Sequence, residues 1–372
     1  MNRTQLLITA GLVIILIALG LYANNNQASD KGSIKLGLSS PMTGEAAGFG
    51  EAWAGGAELA VKDINERGGI DGRLVELVIE DSRCVTATGA TIFNKFISVD
   101  QVDAIVGPLC SPTAGAGLPI AQEAGVPVII GASAPSLTRV GDYIFRNYPS
   151  DASQAGFSAE FIFNTLQKKN VAVLYVNSDW GIELKDKFVH DFEALGGTIT
   201  IIEGSLQEAT EVRGSVAKIK DTNPEAVYLA LFPQTGAAAI KQLKEANVNV
   251  PLVGTDLFAT DEIYDVPEAE GVLFTLPISK APQDFTDRVV EETGRAASEV
   301  SGFSYDAVMI FAQAFDAVGT DKDAVRDYLD KLTYENGVSV STISFDENGD
   351  LEGGFLWDMR IVTNGENADY AE

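Results

Sequence analysis

The chain has 372 residues, with 53 Asp and Glu against 26 Lys and Arg and a net charge of -27. That length exceeds one ordinary core and suits two α/β lobes, while the acidity argues against nucleic acid or an anionic membrane surface as partner, since both need clustered Lys and Arg. His190 is the only histidine, and Cys84 and Cys110, the only cysteines, have no nearby His or further Cys, so a zinc site is disfavoured and nucleophilic catalysis has no visible base.

Arg3 precedes an uncharged apolar run over 6–22, and no charge follows until Asp30. We read residues 1–33 as an N-terminal segment outside the fold: an uncleaved anchor with Arg3 inside, or alternatively a cleaved signal peptide, then a polar tether. From Ile34 strands and helices alternate: strand 34–38, helix 51–66, strand 74–79, helix 86–98, strand 104–106, a helix opening at Ser111-Pro112, and strand 126–130. Short β-branched runs joined by short loops and helices mark a parallel sheet covered on both faces. After strand 143–146 the pattern breaks at 147–151 and restarts, predicting a second parallel sheet.

The last hundred residues hold three helices, 285–292, 302–318 and 322–332, with no strands between them, so they must cover an existing sheet. Segments 339–345 and 354–362 then read as antiparallel strands around a 346–350 turn. The expected division is lobe one from 34–148 plus 277–338, lobe two from 149–276 plus 339–363, and a tail over 364–372. Three crossings between lobes make a hinge that closes on something held in the cleft.

Ser111 opens a helix at the end of strand 104–106, with the grammar of an N-cap before proline, and Gly131-Ala132-Ser133 ends the neighbouring strand. Two hydroxyls and a helix N-terminus at one sheet edge suit an anion; alternatively both serines only satisfy loop backbone. Asp256 follows strand 251–253 in the second lobe, where it either faces those hydroxyls, as a zwitterionic ligand needs, or caps a turn. Phe49, Trp180, Phe232 and Tyr305 fall at strand ends and, with Leu109, are candidate pocket walls. In an exported chain Cys84 and Cys110 read as a disulfide, and otherwise as buried thiols. No phosphate-binding glycine loop and no Gly-x-Ser-x-Gly elbow is present, and Gly48-Phe49-Gly50 is followed by Trp53 where a dinucleotide fingerprint needs glycine. His190, with Lys187 and Asp191 beside it in a helix, reads as a solvent-facing residue.

With these residues in view, the chain resembles the periplasmic branched-chain amino-acid (Leu/Ile/Val) binding proteins from Ile34 to about Thr363. The likeness rests on Phe49-Gly50-Glu51, Gly56-Ala57-Glu58-Leu59-Ala60, Gly68-Gly69-Ile70-Asp71-Gly72-Arg73, Asp103-Ala104-Ile105-Val106-Gly107-Pro108, Cys110-Ser111, Ala134-Pro135, Tyr305-Asp306-Ala307-Val308 and Ile343-Ser344-Phe345-Asp346. It implies an α/β type I fold of two Rossmann-like lobes with parallel sheets joined by a three-stranded hinge. In that family residues matching Ser111 and Ser133 hold an α-carboxylate, those matching Asp256 and the Gly131 carbonyl hold the ammonium, and those matching Phe49, Trp180 and Tyr305 close the pocket. The cysteines match the family's disulfide. Asp256 stands where a longer Glu is common, and Leu231 or Phe232 stands where a pocket Tyr is. The resemblance implies an extracytoplasmic, monomeric protein with no cofactor or metal, which is not an enzyme and delivers a free amino acid to an ABC permease. A membrane-tethered sensor of amino acids or small amides, or a carboxylate-based hydrolase, are the alternatives.

Overall fold

The computed structural model describes residues 32–353 and 356–371, so the expected N-terminal anchor or signal lies outside the described residues. Among the described residues no helix is long and apolar enough to cross a membrane.

Lobe one is built on β1 (Ile34–Ser40), β2 (Val75–Asp81), β3 (Ala104–Val106), β4 (Val128–Ile130) and β5 (Ile144–Arg146), ordered β2-β1-β3-β4-β5 and parallel throughout. Every residue of β3, β4 and β5 is buried, as a sheet covered on both faces requires. The covering helices include α1 (Ala47–Glu66), α2 (Thr86–Lys95) and α3 (Ser111–Glu123). Lobe two carries α4 (Asp151–Glu160), β6 (Asn170–Val176), α5 (Asp179–Ala194), β7 (Thr198–Ser205), α6 (Arg213–Asp221), β8 (Ala226–Ala230), α7 (Pro233–Glu245), β9 (Leu252–Gly254), the short α8 (Asp261–Tyr264) and β10 (Leu273–Pro277). Its strands β7, β6, β8, β9 and β10 are parallel neighbours in that order.

The chain then returns to lobe one as α9 (Gln283–Thr293), α10 (Glu299–Val318) and α11 (Lys322–Leu329), where α10 lies along α1. A Cβ on Gly56 of α1 would stand 1.9 Å from the Ser301 carbonyl oxygen of α10, so only glycine permits this approach.

The C-terminal strands differ from the expectation. The segment read as pairing 339–345 with 354–362 instead pairs β11 (Thr333–Glu335) with β12 (Thr342–Ser344) on lobe one. Ile343 and Phe345 are buried in the lobe-one core, Phe345 against Phe145 with ring centres 5.1 Å apart, so this stretch belongs with lobe one and not lobe two. Strand β13 (Trp357–Thr363) takes the open edge of β10 in lobe two, antiparallel. The expected tail is also structured: Asn364-Gly365, both at positive φ, turn the chain into β14 (Glu366–Asp369), a hairpin partner of β13. Lobes are thus linked three times, after Arg146, after Pro277 and between Leu351 and Trp357.

Candidate functional site

The carboxyl edges of both sheets face one another across a cavity. On the lobe-one side, β3 runs into α3. Cys110 is the extended N-cap and Ser111 the first helical residue, one position inside the cap that the Ser-Pro pair suggests. Ser111 Oγ accepts the Ala134 N–H at 3.2 Å, which pins the loop after β4 to the helix start. In that loop a Cβ on Gly131 would meet the Trp53 ring at 2.6 Å and Leu109 at 2.9 Å, so the backbone lies flush against the cavity wall. Ser133 is half-buried, and its carbonyl accepts the Asp151 N–H at 2.9 Å.

On the lobe-two side, Asp256 opens the turn after β9. Its Oδ2 accepts from the Tyr148 hydroxyl at 2.8 Å and its Oδ1 from Gln154 Nε2 at 2.8 Å, and the same amide reaches Thr275 Oγ1 at 2.9 Å. Burial pushes the Asp256 carboxyl above its ordinary range, against the pull of the Gln154 and Tyr148 hydrogen bonds. Trp180 stands on the first turn of α5, where Ser178 caps the helix by accepting the Gly181 N–H at 3.3 Å. Phe232 is the residue before α7, and the two rings lie 5.0 Å apart.

Ser111, Ser133, Gly131, Asp256, Phe49, Leu109, Trp180 and Phe232 therefore line one cavity together. Tyr305 does not. Its hydroxyl donates to Asp63 Oδ2 of α1 at 2.8 Å and its ring meets Phe285 edge-on at 5.2 Å, in the packing between helices of lobe one. The reason is rotation about α10: Val300 lines the cavity, and five residues further on a helix has turned by about 140°. Cys84 and Cys110 form a disulfide that is itself part of the wall.

Several residues of the site have no signal in the sequence. Tyr148 and Leu257 line the cavity, and Gln154 holds Asp256 from behind. Asp151, buried at the start of α4, has its carboxyl raised to about 8, first by burial and then by the charge of Asp256, with Ser133, Arg146 and Trp180 opposing. Glu299 at the start of α10 is raised to about 7 by burial, with Asp256 adding to it. Arg146, whose charge opposes the rise at Asp151, is itself paired with Asp350. His190 is exposed beside Asp191 on lobe two, away from the cavity.

Contacts across the cleft hold the lobes together in this structure. Ser136 donates through its N–H at 3.0 Å and its hydroxyl at 2.5 Å to Glu183, Gln207 Nε2 donates to the Cys84 carbonyl at 3.1 Å, and Thr235 donates to Glu45 at 3.0 Å. Two closed lobes with hydroxyl donors on one wall, a carboxyl on the other and apolar rings between can enclose and orient a small solute.

A sequence profile of the periplasmic binding protein family matches residues 33–365. The chain belongs to that family. It is 27% identical, over 90% of its length and 91% of the relative's, to the leucine-, isoleucine-, valine-, threonine- and alanine-binding protein of Pseudomonas aeruginosa. Among solved structures it is similar to a leucine-binding protein from Thermotoga maritima, with a TM-score of 0.83, 25% identity and coverage of 91% of this chain and 98% of the other. A branched-chain amino-acid transporter substrate-binding protein from Streptococcus pneumoniae, solved with isoleucine, gives a TM-score of 0.79 at 25% identity, covering 91% of this periplasmic binding protein and all of that chain.

Proposed function

We propose that this periplasmic binding protein works outside the cytoplasm, closes on a free amino acid with a branched aliphatic side chain, and delivers it to an ABC permease. The observation that carries the reading is the position of Asp256: a buried carboxyl in the same cavity as Ser111 and Ser133, on the opposite lobe. The ligand's carboxylate goes to the serines and the N-terminus of α3, and its ammonium to Asp256 and the Gly131 carbonyl. Both Asp256 oxygens already accept one hydrogen bond, yet each retains lone-pair capacity for an ammonium donor. Phe49, Leu109, Trp180, Phe232, Leu257 and Val300 leave an apolar space for the side chain. Burying a leucine-sized group there contributes roughly 1.5 to 3 kcal/mol. The polar ends set the ligand class and the apolar wall selects within it.

A thermal-shift screen of the purified protein against the twenty amino acids, small amides and benzoate tests this. A true ligand at 100-fold its Kd adds about 2.7 kcal/mol of stability. A rise with leucine, isoleucine and valine supports the assignment, whereas a rise with benzoate alone, a carboxylate lacking an ammonium, would leave Asp256 without its role.

A further inference from the structure

Glu45 sits in the turn that leads into α1, on the rim of lobe one, yet it is only 7% exposed. Lobe two is what covers it. Thr235, the third residue of α7 and wholly buried, donates its hydroxyl to Glu45 Oε1 at 3.0 Å. The other carboxyl oxygen, Oε2, is buried with no hydrogen-bond partner among the described residues, so the Thr235 hydroxyl is what holds the carboxyl.

The placement couples this contact to the ligand cavity. Ala46, next to Glu45, lines the cavity and packs into the lobe-two core, and Phe232, three residues before Thr235, lines it from the other side. One turn of α7 therefore touches both the cavity and Glu45. The Ser136 to Glu183 contact lies at the exposed rim, and the Gln207 contact ends on a neutral carbonyl; Glu45 gives the buried, charged one.

We infer that Glu45 is the latch of lobe closure, a carboxylate of lobe one that docks on the first turn of α7 in lobe two and favours the closed state through a contact the ligand does not make. When the lobes part, the carboxylate returns to water and the Thr235 hydroxyl loses its acceptor. The latch thus acts on the open-to-closed equilibrium and, through it, on how long a ligand stays. It rests on the reading of the protein as one that closes on a solute, and Glu45 is a positioning residue, since it touches no ligand.

The test compares the full-length protein with Glu45→Ala, Thr235→Val and the double variant, first without ligand by small-angle scattering, then by stopped-flow displacement of L-leucine. The latch predicts that each single variant shifts the ligand-free ensemble towards the open form and speeds leucine dissociation about tenfold, the scale of one charge-assisted hydrogen bond, with association changed little. The double variant should behave like the singles, because both remove one contact. Because the two substitutions lie in different lobes, misfolding of one leaves the other informative. Ligand-free scattering identical in wild type and both singles, or effects that multiply in the double variant, overturns the latch. A wild type that does not bind leucine while the scattering difference persists refutes the amino-acid reading and supports the latch.

Discussion

Arg146, wholly buried where the chain first leaves lobe one, holds Asp350, just before the third crossing, through Nε at 2.6 Å and Nη2 at 2.5 Å. Its Nη1 donates to the carbonyls of Ala132 at 3.3 Å and Ala134 at 2.8 Å, the two residues that flank Ser133. Asp350 also accepts from Thr138 Oγ1 at 3.1 Å, and the Gly349 carbonyl takes the Arg146 N–H at 2.8 Å. One guanidinium thereby ties the starts of two hinge crossings to the loop that carries Ser133.

Removing the carboxylate leaves that guanidinium buried without its counter-charge. Asp350→Ala should lower the free energy of unfolding by about 3 kcal/mol, the low end for breaking a buried pair, because Asp350 itself is partly exposed. Urea denaturation measures the loss, and a change under 1 kcal/mol would show the hinge does not depend on this pair.

The disulfide between Cys84 and Cys110 spans 26 residues and joins the loop after β2 to the N-cap of α3. On loop-closure entropy its removal in a Cys84→Ala, Cys110→Ala variant costs about 3.5 kcal/mol. Because Cys110 immediately precedes Ser111, leucine affinity should fall as well. Thermal unfolding and titration of the same variant check both effects, and an unchanged affinity would detach the disulfide from the site.

Buried carboxyls set the pH dependence. Asp151, Glu299 and Asp306 stand at about 8, 7 and 6 in the folded protein, raised chiefly by burial above their ordinary values. The folded state keeps these protons to higher pH than the unfolded chain does, so their contribution is full below about pH 4 and is lost as pH rises through 8. The ligand-free protein should therefore melt at a lower temperature at pH 8.5 than at pH 5.5, and Asp151→Asn should flatten the slope. Leucine affinity should run the other way. An ammonium beside Asp256 favours ionised carboxyls, so binding releases protons and tightens with rising pH, as calorimetry in buffers of different ionisation enthalpy would register.

Much of this arrangement is legible in the residues because an α/β alternation has predictable sheet edges. Ser111, Ser133 and Asp256 each follow a short apolar strand, and a strand's carboxyl end is where such folds bind ligands. What escapes is what arises only when distant segments meet. Gln154 and Tyr148 gain their roles because Asp256, about a hundred positions later, lands beside them. Asp151 lies in a stretch that reads as a break between lobes. Tyr305 shows the opposite limit, since a helix residue's direction depends on where the helix seats. At 339–345 alternation correctly indicates a strand but cannot name its partner, and Ile343 with Phe345 goes to the nearer core. The sequence Glu-Asn-Ala-Asp of β14 has Ala368 as its one apolar residue, so periodicity is silent there although Asn364-Gly365 carries the hairpin signal.

The most direct measurement is calorimetric titration of L-leucine into the wild type and an Asp256→Asn variant. Asparagine keeps the shape of the side chain and removes its charge. The account predicts that the wild type binds and that the variant loses affinity by about 100-fold or more, near 2.7 kcal/mol, while unfolding at no lower denaturant concentration than the wild type. Leucine binding within a few-fold of wild type in the variant would contradict the assignment of the ammonium to Asp256.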